Sequence, residues 1–259
     1  MIDVHDQLGN TGVLPGLFGV SMYSLLVGLG LAAGILYIIR QNRRTKDPGE
    51  GGRIKSEQTL VIVAAALIFG TIGSKIPALL QGLTLENLLL SKSVVGGLIG
   101  GTAGVFLVKR FMQIKLRLGN TIAPAAALGL TIGRLGCFCN GCCAGIPASW
   151  GVDFGDGILR LPTQLFESAF QLAAFFLLHF LQAKVKTPGI LFKGYVLAYF
   201  SFRFFLEFIR VNPIYWNGLT VYQLLCLAGI AWMGLMLLLP RRRRTESIKP
   251  KTDILNRGA

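Results

Sequence analysis

The sequence predicts an all-α, polytopic membrane protein, and three observations support this fold class. Hydrophobic residues make up 53% of the 259 residues and charged residues only 15%, with a mean hydropathy of +0.59. The 33 glycines suit close contact between helices in lipid. Basic residues are concentrated after alternate hydrophobic segments. This composition is more apolar than a soluble core requires.

Seven hydrophobic segments are long enough to cross a bilayer, because about 20 apolar residues in a helix span its hydrocarbon core. Spans one to seven are predicted at 16–39, 59–80, 93–113, 121–139, 164–183, 189–209 and 219–239. The polar start MIDVHDQLGNTG has acidic residues where a signal peptide would have basic ones, so we expect no cleaved signal. We predict one seven-helix transmembrane domain over 1–240 and a basic cytoplasmic tail over 241–259.

The formal net charge of +14 is distributed in a way that predicts the topology. Each odd-numbered span is followed by a basic cluster, whereas the opposite loops hold only Lys75, Lys92, Arg160 and Arg210. The positive-inside rule assigns the basic clusters to the cytoplasm, which gives an outside N-terminus and a cytoplasmic C-terminus. The basic excess is then topological, and we expect no nucleic-acid partner.

Two arginines lie inside predicted spans. Arg134 is in GRLGCFCNGCCAG at the end of span four, and Arg203 is in YFSFRFFLEFIR of span six. A charged residue in a membrane segment costs roughly 2.5–3.5 kcal/mol on insertion scales, so its presence indicates a functional site. Both spans run outward in the predicted topology, so we expect both arginines in one pocket at the outer leaflet. A guanidinium group matches the geometry of phosphate, which favours a lipid headgroup as ligand.

Span six has polar residues along one face. Tyr199, Arg203, Glu207 and Arg210 are spaced i, i+4, i+8 and i+11, which places them on one side of a helix. We expect this face to point into the bundle, because lipid cannot satisfy polar groups. An Arg203–Glu207 ion pair that ties helices together and a headgroup site are both compatible with the pattern.

Two further segments have candidate roles. In LPTQLFESAF, Gln164 and Glu167 lie one turn apart, and the Glu167 carboxylate could pair with an arginine or accept a proton. The glycine ridge of span three, SVVGGLIGGTAG at 93–104, includes Gly96 and Gly97. These glycines favour either close helix packing or the approach of a headgroup to the backbone.

Four cysteines are crowded into the pattern CxCxxCC, at Cys137, Cys139, Cys142 and Cys143. This spacing is unlike that of zinc sites, and we predict no metal. Packing of small apolar residues, a disulfide or redox pair, and direct chemistry all remain open. Cys226 lies within span seven and is predicted to be a core residue.

Together these motifs resemble the bacterial prolipoprotein diacylglyceryl transferases. GRLGCFCNGCCAG stands in the position of that family's Gly-Arg-Ile-Gly-x-Phe-x-Asn-Gly signature, and LPTQLFES and the Tyr-x-x-x-Arg-x-x-x-Glu-Phe-x-Arg pattern follow in order. The resemblance covers residues from about 15 to 240. It implies transfer of the diacylglyceryl group of phosphatidylglycerol to the lipobox cysteine thiol in the signal peptide of a prolipoprotein, the first step of lipoprotein maturation. It also implies a multi-pass protein of the bacterial inner membrane that needs no cofactor and whose active site faces the outer leaflet.

The resemblance also implies roles for single residues. Arg134 matches the signature arginine that contacts the phosphatidylglycerol headgroup, Arg203 matches a second essential arginine, and Tyr199 matches a functional tyrosine. Glu167 and Glu207 are expected to relay the thiol proton, which completes the predicted catalytic set. The expected substrate-binding residues are Arg134, Asn140, Gly141, Gly145, Gly96, Gly97, Gln164 and Arg210.

The sequence departs from the family pattern at several positions. Val95 stands where the family has a histidine before the double glycine, Cys137 where many members have Asn, Cys142 where many have Glu, and Ile146 where many have Arg. Two alternative functions therefore stay open. One is a diverged paralogue that binds anionic phospholipid or lipidates a different acceptor, and the other is a thiol-redox membrane protein.

Overall fold

A computed structural model describes residues 21–44, 56–81, 93–113, 119–155, 157–185 and 187–238. The predicted tail at 241–259, the polar N-terminal start and residues 16–20 of span one lie outside these ranges. The helices are α1 Met22–Arg44, α2 Ser56–Gly73, α3 Ile76–Gln81, α4 Val94–Phe111, α5 Gly119–Cys139, α6 Thr163–Lys184, α7 Ile190–Leu206 and α8 Val221–Leu238.

The described chain is mostly helical, as expected of a polytopic membrane protein. Within the described ranges, five helices are long and apolar enough to cross a membrane, namely α1 over Met22–Gln41, α4, α5, α6 and α8. Predicted span two is not one continuous helix, because a turn at Ser74 and Lys75 separates α2 from α3. Pro77 follows this turn. Proline has no backbone N–H to donate to a helical hydrogen bond, and its ring clashes with the carbonyl four residues earlier, which interrupts a continuous helix.

The all-α prediction is wrong in the connections, which form two small antiparallel hairpins. Strand β1 (Pro147–Asp153) pairs with β2 (Leu159–Arg160), and β3 (Ile214–Trp216) pairs with β4 (Leu219–Thr220). Asn217 and Gly218 form the second turn with φ of 51° and 81°. Both residue types tolerate positive φ, and Asn-Gly is a typical two-residue hairpin turn.

The helices pack mainly in pairs, with α1 against α5, α2 against α4, α5 against α6 and α7 against α8. The contact between α2 and α4 depends on glycine. A Cβ atom added to Gly96 would overlap the carbonyl oxygen of Gly73, so the two backbones can approach only because both residues lack side chains. Helix packing is therefore one role of the glycine ridge.

Apolar side chains cover much of the outer surface, whereas polar side chains are buried. Leu36, Phe106 and Phe180 are examples of large hydrophobic residues that are exposed. The hydrophobic core surrounds α7 and includes Cys226, which is fully buried as predicted. An apolar exterior around buried polar groups is the arrangement that lipid requires.

Candidate functional site

The first part of the site joins α5, α6 and α7 through one carboxylate. Arg134 Nη2 lies 2.7 Å from Glu167 Oε1, and the hydroxyl of Tyr199 donates to the same oxygen at 2.6 Å. Glu167 and Tyr199 are fully buried and Arg134 is 6% exposed. Of the two roles that the sequence left open for Glu167, the structure shows the pairing with an arginine.

The second part of the site lies at the end of α7. Arg203 Nη1 donates to Glu207 Oε2, so the structure shows the ion pair that was one of the two arrangements compatible with the sequence. Glu207 Oε1 also accepts hydrogen bonds from Asn212 Nδ2 at 2.6 Å and from Thr220 Oγ1 at 3.0 Å. Glu207 is thus held at Oε2 by Arg203 of α7, and at Oε1 by the segment that leads into β3 and by the end of β4.

Arg210 does not lie on the helix that its spacing predicted. Helix α7 ends at Leu206, Glu207–Ile209 form one 3-10 turn, and Arg210 is extended with φ of −109° and ψ of 151°. Its backbone instead forms a bridge with Gly145. Its Nε still lies 3.7 Å from Glu207 Oε2, within ion-pair range although too long for a hydrogen bond.

The two parts of the site adjoin one another. Tyr199 and Arg203 are one turn apart on α7, and Tyr199 donates to Glu167, which pairs with Arg134. The guanidinium group of Arg203 also lies over the ring of Tyr222, 5.8 Å from its centroid. Arg134 and Arg203 thus lie in adjoining parts of one cluster, and their placement in a pocket at the outer leaflet stays a prediction.

Positive charge exceeds negative charge in this cluster. The guanidinium groups of Arg134, Arg203 and Arg210 face the carboxylates of Glu167 and Glu207. Several buried polar atoms have no hydrogen-bond partner within the described protein, namely Arg134 Nε, Arg210 Nε and Nη1, Glu167 Oε2 and Gln164 Oε1. Buried donors without partners are costly, so the arrangement is suited to an anion that accepts from both arginines.

A short turn links α5 to β1 and is fastened to the start of α6. Thr163 Oγ1 donates to the Cys143 carbonyl at 2.7 Å, and Gln164 Nε2 donates to the Cys142 carbonyl at 2.7 Å. Gly141 has φ of 70°, in the left-handed region where glycine is favoured. The turn therefore positions the cysteines beside the arginine cluster.

Gly145 packs where two backbone segments converge. Its amide donates to the Leu161 carbonyl at 2.8 Å. A Cβ atom at this position would lie 2.7 Å from the carbonyl oxygen of Ile209. Gly145 therefore permits the bridge that brings Arg210 to the site.

The remaining predicted site residues occupy different surroundings. Gly96 and Gly97 face the backbone of α2, at Gly73 and Gly70. Asn140 is exposed, in the turn that follows α5. Substrate binding by these residues stays a prediction.

Sequence reasoning missed several residues of the cluster. Tyr23, at the start of α1, lies beside Gly136, two residues after Arg134. Asn212 and Thr220 hold Glu207. A tyrosine at the outward end of a predicted span was a usable signal for Tyr23. The contacts of Asn212 and Thr220 depend on the hairpin fold and had no comparable signal.

Comparison with known proteins shows a match over most of the chain. Residues 13–239 match the family described as Prolipoprotein diacylglyceryl transferase. A protein of Dehalococcoides mccartyi named phosphatidylglycerol–prolipoprotein diacylglyceryl transferase is 28% identical over 247 residues, 89% of this chain and 93% of that protein. Proteins of the same name are 29% identical in Pseudomonas paraeruginosa, over 88% of this chain and 94% of that protein, and 28% identical in Clostridium tetani, over 78% and 86%. The chain belongs to the prolipoprotein diacylglyceryl transferase family.

Proposed function

We propose that the protein transfers the diacylglyceryl group of phosphatidylglycerol to the lipobox cysteine thiol of prolipoproteins. The observation that supports this most directly is the buried cluster of Arg134, Arg203 and Arg210. Its three positive charges exceed the two negative charges of the carboxylates that they meet. Family membership and the names of the relatives point to the same reaction.

The phosphate of the lipid headgroup fits the donors that the protein leaves without partners. Arg134 Nε and Arg210 Nε and Nη1 are buried and have no hydrogen-bond acceptor within the described protein. A phosphate oxygen supplies the missing acceptor, and its charge offsets the excess positive charge. Charge-assisted hydrogen bonds of this kind are about twice as strong as neutral ones.

The arginines then assist the departure of the leaving group. The sulfur of the acceptor cysteine attacks the glycerol carbon of the diacylglyceryl group that bears the phosphate ester. A carbon–sulfur bond forms, the carbon–oxygen bond breaks, and glycerol phosphate leaves with the bonding electrons. Guanidinium groups that are already aimed at the phosphate stabilise the charge that develops on it.

The acceptor thiol must lose its proton, since the thiolate is the nucleophile. Val95 is an apolar, 1% exposed residue at the position of the family's histidine and cannot accept a proton. Glu207 has both oxygens engaged, whereas Glu167 Oε2 has no partner within the described protein. We assign proton acceptance to Glu167, which can return the proton to the departing phosphate.

Seven spans, an outside N-terminus and a cytoplasmic C-terminus form part of the proposal, with the site facing the outer leaflet of a bacterial inner membrane. Tyr23 at the start of α1 lies beside Gly136 near the end of α5, so these helices are antiparallel and the site is at the end where α1 begins. The described basic residues Arg40, Arg110 and Lys184 lie at the other ends of α1, α4 and α6. The positive-inside rule assigns that side to the cytoplasm.

The two alternative functions have weaker support. A diverged paralogue that binds anionic phospholipid, or lipidates another acceptor, is favoured by Val95 and by the cysteines that replace polar signature residues. A thiol-redox protein is favoured by the cysteine cluster beside Arg134. A protein that only binds phospholipid needs no proton acceptor at Glu167.

The test is transfer of labelled diacylglyceryl from phosphatidylglycerol, labelled in its acyl chains, to a lipobox peptide by the purified protein. Arg134→Ala is expected to abolish both transfer and phosphatidylglycerol binding. Arg110→Ala removes an exposed arginine at the opposite end of α4 and is expected to leave both unchanged. A folded wild-type protein that binds the lipid without transferring it would reject the transferase in favour of the paralogue.

A further inference from the structure

Three of the cysteines gather beside Arg134. Cys137 lies in the last turn of α5, and Cys142 and Cys143 lie in the turn that follows it. Cys142 Sγ lies 3.6 Å from the Cys137 carbonyl oxygen, and Cys137 Sγ lies 3.9 Å from Arg134 Nη1. All are free thiols. A cluster this close is a candidate site for oxidation.

Metal binding and simple packing describe the cluster less well. In the part of the chain that the structure describes, no group of three or more His, Cys, Asp or Glu side chains is arranged to hold a metal ion. Cys137, Cys142 and Cys143 are only partly buried, whereas the neighbouring Cys139 is buried. Cysteines that are not fully buried and that lie within one turn of the chain have the access and the proximity that disulfide exchange needs.

We propose that Cys137 and Cys142 form a reversible disulfide that closes the turn beside Arg134. The oxidant is a small-molecule disulfide such as oxidised glutathione. The thiolate of one cysteine attacks a sulfur of the oxidant and releases one glutathione, and the thiolate of the second cysteine attacks the resulting mixed disulfide and releases the other. Two protein thiols are oxidised, one glutathione disulfide is reduced to two thiols, and the thiol protons end on the released glutathione.

The geometry favours this pair over the other combinations. Consecutive Cα atoms across a trans peptide are about 3.8 Å apart, shorter than the roughly 4.4–6.8 Å usual for a disulfide, which disfavours Cys142–Cys143. Cys142 Sγ is directed back at the last turn of α5, where Cys137 lies.

The disulfide would affect the site by fixing the turn between Cys137 and Cys142, which lies next to Arg134. The closed ring includes Asn140 and Gly141, so oxidation fixes the conformation of that segment. It also changes the sulfur of Cys137, which Arg134 Nη1 approaches at 3.9 Å. The proposal does not depend on the transferase activity, because the disulfide is measured on the protein itself.

The experiment counts free thiols in the full-length, detergent-purified protein. One sample is reduced with dithiothreitol and another is incubated with oxidised glutathione. Both are acid-quenched, unfolded and labelled with N-ethylmaleimide, and the mass of each labelled protein is measured by mass spectrometry. The oxidised protein is expected to carry two labels fewer than the reduced protein, and dithiothreitol is expected to restore them. Equal label counts, or loss through glutathione adducts alone, would overturn the proposal.

Trypsin cuts after Arg134 and after Arg160, so all four clustered cysteines lie in one tryptic peptide and peptide mapping alone cannot show which two are bonded. Single variants therefore assign the bond. Cys137→Ser and Cys142→Ser are each expected to prevent the loss of labels. Cys143→Ser and the matched control Cys139→Ser are expected to preserve it. A loss that survives Cys142→Ser but disappears in Cys143→Ser would assign another pair and refute the inference. If a variant fails to fold, the wild-type count still decides whether a disulfide forms at all.

Discussion

Replacing Glu167 by Gln separates proton acceptance from lipid binding. The glutamine oxygen can still accept from Arg134 and Tyr199, which now share Glu167 Oε1. The atom corresponding to Oε2, which has no partner within the described protein, becomes an amide that cannot take a proton. The variant therefore keeps most of the local geometry and loses the proposed base.

The expected loss of transfer is about 10²- to 10⁴-fold, the usual contribution of a positioned general base. Stability also falls, because removing one partner of a buried ion pair costs about 3–5 kcal/mol, and we expect the lower end since the hydrogen bonds are retained. Phosphatidylglycerol binding is expected to persist, because its phosphate can offset the charge that Arg134 retains. The melting temperature of Glu167→Gln should accordingly rise more on addition of the lipid than that of the wild type.

The assay measures single-turnover transfer together with thermal unfolding, each with and without phosphatidylglycerol. Glu57→Gln removes the same charge from an exposed position on α2 and is the matched control, expected to behave as wild type. A Glu167→Gln protein that transfers within about threefold of the wild-type rate would refute Glu167 as the proton acceptor.

Three further changes test other parts of the site and fold. Arg210→Gln removes buried donors without partners and is expected to raise the KM for phosphatidylglycerol about tenfold, since charge-assisted bonds contribute about 1.5–3 kcal/mol; an unchanged KM in steady-state transfer would contradict a headgroup contact. Gly145→Ala places a Cβ 2.7 Å from a backbone carbonyl oxygen and is expected to destabilise the fold by about 1–3 kcal/mol, measured as a lower melting temperature, whereas Gly194→Ala has open space and serves as control. Gly96→Leu forces α4 away from Gly73 on α2 and is expected to lower the melting temperature further, and a normal melting temperature would show that the contact is dispensable.

Local patterns were enough to predict the helices and one ion pair. Each predicted span overlaps a described helix, because a membrane segment must be apolar and must satisfy its backbone hydrogen bonds within itself. The Arg203–Glu207 pair was predictable for a similar reason, since residues four apart on a helix are neighbours. Within the described parts of the spans, the break before Pro77, the 3-10 turn Glu207–Ile209 and the strand Leu219–Thr220 went unpredicted, although proline is a known helix-breaking signal.

The sequence contained a signal for the second hairpin that the all-α prediction did not use. Asn217 and Gly218 stand between two short apolar segments, and that dipeptide typically forms a two-residue hairpin turn. The all-α prediction ignored it because the long apolar spans dominated the pattern. The path of Arg210 depends on this region, so its helical placement was wrong.

The sequence by itself determined the membrane character, the approximate helices and the identity of the buried arginines, because hydropathy and spacing along the chain are local properties. Tertiary structure decided which carboxylate each arginine meets. Arg134 pairs with Glu167 from α6 and Arg210 reaches the site through its bridge to Gly145. Such contacts join residues far apart in the chain, and their partners depend on how helices pack and where α7 ends. The excess of guanidinium groups over carboxylates in one buried cluster is likewise a property of that packing.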